Sequence, residues 1–178
     1  MDDESYFTLT NSNCGNNNIF YTSDIRTAPN EIKFKTKAKY EQKILVYVVM
    51  SSKGVSKPVI FPSGLAVDKW AYLNKCIKAR VIPFIQTYHK NDQYVFWPDL
   101  AGAHYATVVV NYLKGQKVIM VDKEDNPANL PECRLVEDFW RDLKQEVYKN
   151  NWQAENIDQL RRRIEYCLTK VDPKLVQR

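Results

Sequence analysis

The chain has 178 residues, of which 44% are hydrophobic and 12% aromatic, with only 5 glycines and 8 prolines. This composition is typical of one globular domain and excludes a disordered or low-complexity chain. No apolar run approaches the roughly 20 residues that span a bilayer, and the acidic start MDDESYF does not resemble a signal or transit peptide. We therefore expect a single domain over residues 1–178 with no membrane partner.

Cysteine and histidine are too sparse and too scattered for a zinc site or a disulfide framework. The cysteines at positions 14, 76, 133 and 167 form no CxxC motif, and the only histidines are His89 and His104. This usage fits a reducing compartment.

The net charge of +5 is concentrated in one segment. Residues 31–57 contain seven lysines and two glutamates, which accounts for the whole excess of positive charge. Lys33, Lys35, Lys37 and Lys39 alternate, and on an extended strand this spacing places them on one face, about 6 to 7 Å apart. Such a face suits contact with a phosphate backbone, and it equally suits an edge strand that lysines protect from pairing. The pattern alone leaves both interpretations open.

The hydrophobic pattern predicts strands first and then alternating helices and strands. Extended segments are predicted over residues 5–10, 32–40, 43–51, 58–61, 93–97 and 117–121. Helices are predicted over residues 68–88 with a break at Pro83, over about 103–114, and as two amphipathic helices from Leu135 and from Ile157, the latter with Asn156 as N-cap. This order predicts an α/β fold with a mixed five-stranded sheet flanked by helices.

Acidic residues stand at the ends of several predicted elements, where the functional side chains of such sheets collect. They are Asp3 and Glu4 before the first strand, Asp99 after the strand at 93–97, and Glu137 and Asp138 in the first turn of a helix. Each of them alone fits an ordinary strand end or helix N-terminus. Carboxylates that converge on one rim repel each other by about 4 kcal/mol per pair at roughly 4 Å, so together they need cations. Oxygen ligands favour Mg²⁺ or Mn²⁺, and a pair of such ions promotes in-line phosphoryl displacement.

Three motifs, taken in their order along the chain, resemble the catalytic domain of Tc1/mariner-type transposases. The motifs are DDES at 2–5, YVFWPDLAGAHYA at 94–106 and NPANLPECRLVEDFWRDLKQEVYKNNW at 126–152. The stretch KILVYVVMSSKGVSKPVIF at 43–61 also resembles the family's second and third strands, so the resemblance covers nearly the whole chain. The departures are Leu135, Tyr47 and Gly102, which replace residues often seen in the family without removing a ligand. The resemblance implies a ribonuclease H-like fold.

The resemblance also implies a set of site residues. It assigns catalysis and the binding of two Mg²⁺ or Mn²⁺ ions to Asp3, Asp99 and Glu137, with 37 residues between the last two. Asp3 is expected to bridge both ions. Supporting positions around the site are assigned to His104, Asn126 and Asn129. DNA phosphates are expected to contact Lys33, Lys35, Lys37 and Lys39.

The first functional hypothesis is metal-dependent DNA strand cleavage and strand transfer at transposon ends. It implies DNA as partner, a homodimer, no small-molecule cofactor and a nuclear location. The alternative is a truncated or domesticated remnant that binds nucleic acid without catalysis, and a third candidate is an unrelated ribonuclease H-like nuclease. Full-length relatives carry N-terminal helix-turn-helix modules, so we expect a chain that starts within its first strand, with Asp3 on a frayed end.

Overall fold

The computed structural model describes residues 1–10, 21–33, 41–62, 64, 67–127 and 134–171. The strands in this part are β1 (Asp2–Thr8), β2 (Lys43–Ser51), β3 (Gly54–Val55) and β4 (Val59–Phe61). The helices are α1 (Asn30–Lys33), α2 (Lys69–Ala71), a π-helical segment (Tyr72–Val81), α3 (Ile82–Tyr88), α4 (Thr107–Gly115), α5 (Leu135–Val147), a 3₁₀ turn (Lys149–Asn151) and α6 (Ile157–Thr169). None of the helices in these ranges is both long enough and apolar enough to cross a membrane.

Strand β2 is the centre of an antiparallel sheet. It pairs with β1 from Asp2 opposite Val49 to Thr8 opposite Lys43, and β3 and β4 pair with β2 as well. The expectation that Asp3 lies on a frayed end is wrong, because Asp3 stands opposite Val48 within the β1–β2 ladder.

The described sheet has four strands, whereas the sequence predicts five. The predicted strands at 93–97 and 117–121 meet through a single parallel bridge between Phe96 and Met120. Pro98 has no N–H to donate, and Lys117 has a left-handed φ of 58°, so regular pairing is interrupted beside both segments. The Asp2 N–H donates to the Trp97 carbonyl at 3.4 Å, which places the first of these segments next to β1.

The lysine-rich segment departs from its predicted conformation where the structure describes it. Asn30–Lys33 forms a short helix that begins after Pro29, a residue suited to a helix N-terminus. Lys33 is therefore not on an extended strand, and its Nζ donates to the Arg26 carbonyl at 3.0 Å. The other three lysines of the predicted face, Lys35, Lys37 and Lys39, lie outside the described residues.

The side chains of β2 alternate between two cores, because successive residues of a strand point to opposite faces. One face packs with Phe7 against α5 and α6 through Ile44, Val46, Val48 and Met50. The other face packs against the π-helical segment, α3 and α4 through Leu45, Tyr47 and Val49. Helices therefore cover both faces of the sheet, as the apolar run at 43–51 predicts.

The predicted helix at 68–88 forms, but its middle is π-helical. The Ile82 N–H donates to the Ile77 carbonyl, five residues earlier. Pro83 follows directly and has no N–H, so the predicted break takes the form of a change in helical register.

The remaining helices lie close to their predicted positions. α4 begins at Thr107, four residues later than predicted, because the preceding residues form a turn in which the His104 N–H donates to Ala101. The predicted N-cap of α6 is confirmed, since the Asn156 side chain accepts from the Gln159 N–H at 2.9 Å.

Candidate metal-binding active site

The acidic residues at the start of β1 point to opposite faces of the sheet. Asp3 faces α5, where its Oδ2 accepts a hydrogen bond from Trp140 Nε1 at 2.9 Å. Asp2 and Glu4 face the π-helical side, because side chains of a strand alternate. Of these three acids, only Asp3 is a ligand in the site predicted from the sequence.

Burial makes the Asp3 carboxylate an unfavourable charge. Its pKa is raised to about 7, mainly by burial, and the carboxylates of Asp99 and Glu137 raise it further. The hydrogen bonds from the Glu4 backbone and from Trp140 oppose the shift without cancelling it. The convergence of Asp3, Asp99 and Glu137 on one metal site stays a prediction.

Asp99 is held at the end of the segment that runs beside β1. Its Oδ1 accepts from Arg134 Nη1 at 2.8 Å, and the Arg134 side chain is only 11% exposed. Arg134 immediately precedes α5, while Glu137 is exposed in the first turn of that helix. Arg134 has no role in the site predicted from the sequence, although its signal is visible there as a cation directly before the acidic first turn of α5.

A second group of ligand-type side chains lies on the other face of β1. Among the residues that the structure describes, one set of three potential metal ligands has its ligand atoms within 4.8 Å of one another, namely Glu4, Asp99 and His104. Asp99 thus lies close to both groups. The sequence predicts Asp99 as a ligand and His104 as a supporting residue, and it marks Glu4 as an acid at a strand end without assigning it a role in the site.

His104 is almost fully buried behind the sheet, with 1% of its surface exposed. Its Nε2 lies 3.3 Å from Glu4 Oε1, and its ring packs edge-on against Tyr72. Burial by itself lowers the pKa of His104, but the contact with Glu4 and the charges of Asp2 and Asp99 outweigh it and raise the pKa. This location favours an ordering role for His104 over direct contact with DNA.

The raised pKa of His104 is expected to depend on Glu4. A Glu4→Gln variant should lower the pKa of His104, because it removes a negative charge and leaves the burial in place. The His104 contribution to stability is fully present below pH 6.5, the ordinary value, and is lost as the pH rises through the folded pKa. An NMR titration of the His104 ring protons in both proteins measures the change, with exposed Glu155→Gln as control. An unchanged pKa in Glu4→Gln would contradict the assignment.

Asn126 anchors the backbone that carries Asp99. Its Oδ1 accepts from Trp97 Nε1 at 2.8 Å, and its Nδ2 donates to the Pro98 carbonyl at 2.9 Å. Nδ2 also donates to the Tyr105 hydroxyl at 2.8 Å. These contacts fit the supporting position predicted for Asn126, whereas Asn129 lies outside the described residues.

The donor set of the predicted site fits a hard divalent cation. Asp3, Asp99 and Glu137 offer oxygen ligands only, which Mg²⁺ and Mn²⁺ prefer. The pKa of Asp3 is raised mainly by burial and further by the charges of Asp99 and Glu137, while Arg134 contacts Asp99. A cation bound among the three carboxylates would offset their negative charge.

Solved structures of Mos1 mariner transposase are similar to this chain. The Mos1 transposase paired-end complex with the left transposon end matches 99% of this chain and 49% of the Mos1 chain, with a TM-score of 0.76 and 13% identity. The catalytic domain of Mos1 mariner transposase matches 76% of this chain and 66% of its own, with a TM-score of 0.63 and 13% identity. The Mos1 catalytic domain with Raltegravir and Mg matches 76% and 67%, with a TM-score of 0.63 and 14% identity.

No protein-family model matches the chain, and no curated protein does. The chain spans about half the length of Mos1 transposase in the paired-end complex. The resemblance that the sequence motifs indicate is confirmed at the level of the fold. The chain has the ribonuclease H-like fold of the catalytic domain of Tc1/mariner transposases.

Proposed function

We propose that this chain is the catalytic domain of a DDE transposase that cleaves DNA strands and transfers them at transposon ends. The proposal is supported by a mariner-like fold in which β1, the segment beside it and the first turn of α5 carry Asp3, Asp99 and Glu137, with the charges of Asp99 and Glu137 contributing to the raised pKa of Asp3. Mos1 transposase has been solved in a paired-end complex with Mn and in a strand transfer complex, which supports DNA as partner and a divalent metal as cofactor.

In this proposal Asp3, Asp99 and Glu137 would hold the Mg²⁺ or Mn²⁺ ions through their carboxylate oxygens. Such ions activate the attacking oxygen and stabilise the leaving oxygen in an in-line phosphoryl displacement. Trp140 fixes the Asp3 carboxyl through its Nε1, and Asn126 fixes the backbone before Asp99. These contacts keep the ligands in place before the ions and the DNA arrive.

We also propose how the chain contacts DNA, in which oligomeric state it acts and where in the cell. Lys33, Lys35, Lys37 and Lys39 remain our candidates for contact with DNA phosphates, with Lys33 at the end of a short helix rather than on the predicted strand face. Cutting and joining two transposon ends requires two active sites, so we infer a homodimer. By the resemblance to Tc1/mariner transposases we also propose the nucleus as its place of action.

A second candidate function is nucleic-acid binding without catalysis. The ion pair between Arg134 and Asp99 favours it, because the guanidinium occupies Asp99 Oδ1 at 2.8 Å, where a metal ion would bind. The two candidates differ in whether divalent ions displace this contact.

The deciding experiment is Mn²⁺-dependent nicking of a supercoiled plasmid by the wild-type chain and by Asp99→Asn. Loss of a metal ligand is expected to lower cleavage at least about 100-fold, because a misplaced ligand alone costs about that much. Asp3→Asn and Glu137→Gln should show the same loss. Asp138→Asn is the matched control, since Asp138 is next to Glu137 in α5 and pairs with Arg141 on the surface.

The outcomes separate the two candidates. Cleavage by wild type and Asp138→Asn, with none by Asp99→Asn, supports the transposase. Equal background from all variants, together with retained plasmid binding in a filter assay, supports the remnant.

A further inference from the structure

Asp2, the residue before the predicted catalytic Asp3, is a fully buried carboxylate that no part of the proposed reaction uses. Its Oδ2 accepts hydrogen bonds from the hydroxyl groups of Tyr47, at 2.8 Å, and of Tyr72. Its Oδ1 accepts from the backbone N–H of Asp99 at 3.3 Å. We propose that Asp2 is a positioning residue that sets Asp99 for metal binding, an inference that rests on the proposed function.

The backbone around Asp99 has few regular partners. The Phe96–Met120 bridge is the pairing described for its segment, and Pro98 has no N–H to donate. Asp2 supplies the missing contacts, because its N–H donates to the Trp97 carbonyl at 3.4 Å and its Oδ1 receives the Asp99 N–H. Asp2 therefore holds the backbone on both sides of Pro98.

The side chain of Asp99 is also connected to Asp2, through Arg134. Arg134 Nη2 donates to the Asp2 carbonyl at 3.1 Å, while its Nη1 donates to Asp99 Oδ1 at 2.8 Å. One guanidinium thus spans the two residues. In the metal-free chain the carboxylate of Asp99 is thus also fixed relative to Asp2. A metal ion at Oδ1 would displace the guanidinium, so the inference rests on the backbone contact between Asp2 Oδ1 and the Asp99 N–H.

The two tyrosines explain how the Asp2 side chain is accommodated in a fully buried position. Buried polar groups need hydrogen-bond partners, and a carboxylate needs several. Tyr47 and Tyr72 are themselves fully buried, and both hydroxyl groups donate to the same oxygen of Asp2. Oδ2 of Asp2 thus accepts from the two tyrosines, and Oδ1 is left to accept from the Asp99 N–H.

The test is the affinity for Mn²⁺, measured by electron paramagnetic resonance on the full chain, with any tag at the C-terminus. Asp2→Asn keeps the shape of the side chain but replaces one of its two acceptor oxygens by an NH₂ group. The variant can therefore accept from the tyrosine hydroxyl groups or from the Asp99 N–H, but not from both. We expect it to weaken Mn²⁺ binding about 10- to 100-fold, the usual effect of losing a group that orients a ligand. Tyr47→Phe removes one contact to Oδ2 only and should change the affinity less than about threefold, even where it lowers stability in urea unfolding.

Two further variants separate positioning from other causes. Asp2→Glu keeps the negative charge at this position but moves the carboxylate one methylene further from the strand, so the hydrogen bond from the Asp99 N–H to Oδ1 is no longer made with the same geometry. We expect it to weaken Mn²⁺ binding as Asp2→Asn does; if Asp2→Glu binds Mn²⁺ like wild type while Asp2→Asn does not, the effect is one of charge, and the inference is overturned. If Asp99→Asn binds Mn²⁺ like wild type, the proposed function fails; if Asp99→Asn loses binding and Asp2→Asn keeps it, only the positioning role fails.

Hydrogen exchange on the wild-type chain makes the inference testable even if Asp2→Asn does not fold. The Asp99 amide should exchange as slowly as the amides of β1, although Asp99 is outside the regular strands. Fast exchange at Asp99 beside slow exchange in β1 would overturn the inference.

Discussion

Replacing Asp3 by Asn is expected to stabilise the metal-free protein by about 2 to 4 kcal/mol at pH 8, at about 1.36 kcal/mol per pKa unit. The pKa of Asp3 is raised from 3.8 to about 7, first by burial and then by Asp99 and Glu137. A carboxyl whose pKa is raised in the folded state binds more protons there than in the unfolded chain, so its stability contribution falls as the pH rises from about 4 to 7. Asn carries no charge and avoids this loss. If Asp3 binds a metal ion as we propose, the site would trade stability for that binding.

Urea unfolding at several pH values between 4 and 8 measures this effect. The difference between Asp3→Asn and wild type should grow from pH 4 to pH 7 and then stay constant. Exposed Asp125→Asn is the control and should change little at any pH. Saturating Mn²⁺ should stabilise wild type more than Asp3→Asn. A variant less stable than wild type at pH 8 without metal would contradict the prediction.

Arg134→Ala is expected to lower the free energy of unfolding by about 3 kcal/mol at pH 7, because breaking one partner of a buried pair leaves the other unpaired. The guanidinium is 11% exposed and the Asp99 side chain 34%, so the lower end of the usual range applies. The Asp2 carbonyl loses its Arg134 donor as well.

A double-mutant cycle with Asp99→Asn tests this interpretation. The double variant should lose less stability than the sum of the two single variants, since neither charge is then left alone. Arg141→Ala serves as control, because its ion pair with Asp138 is exposed on both sides and such pairs are worth about 1 kcal/mol or less. Additive effects, or equal losses from Arg134→Ala and Arg141→Ala, would mean that the pair contributes nothing specific.

The sequence predicted the parts of the fold that depend on local patterns. The apolar run at 43–51 marks β2 as buried on both faces, and the apolar stripes from Leu135 and Ile157 mark α5 and α6. These patterns are reliable because the period of burial follows directly from strand and helix geometry. The segments at 93–97 and 117–121 have the composition of strands, yet they pair through one bridge, because pairing depends on a partner and on neighbours such as Pro98.

The residues of the candidate site also divide into those that the sequence predicts and those that only the tertiary structure brings into contact. Sequence motifs by themselves selected Asp3, Asp99 and Glu137, and composition pointed to oxygen-binding metals rather than zinc. Only the tertiary structure decided that Asp2 and Glu4 turn away from Asp3, that Arg134 pairs with Asp99 and that His104 meets Glu4. The partners in the last two pairs are 35 and 100 residues apart. No local period records such distances, because they follow from the register of β1 against β2 and from the way the chain crosses back over the sheet.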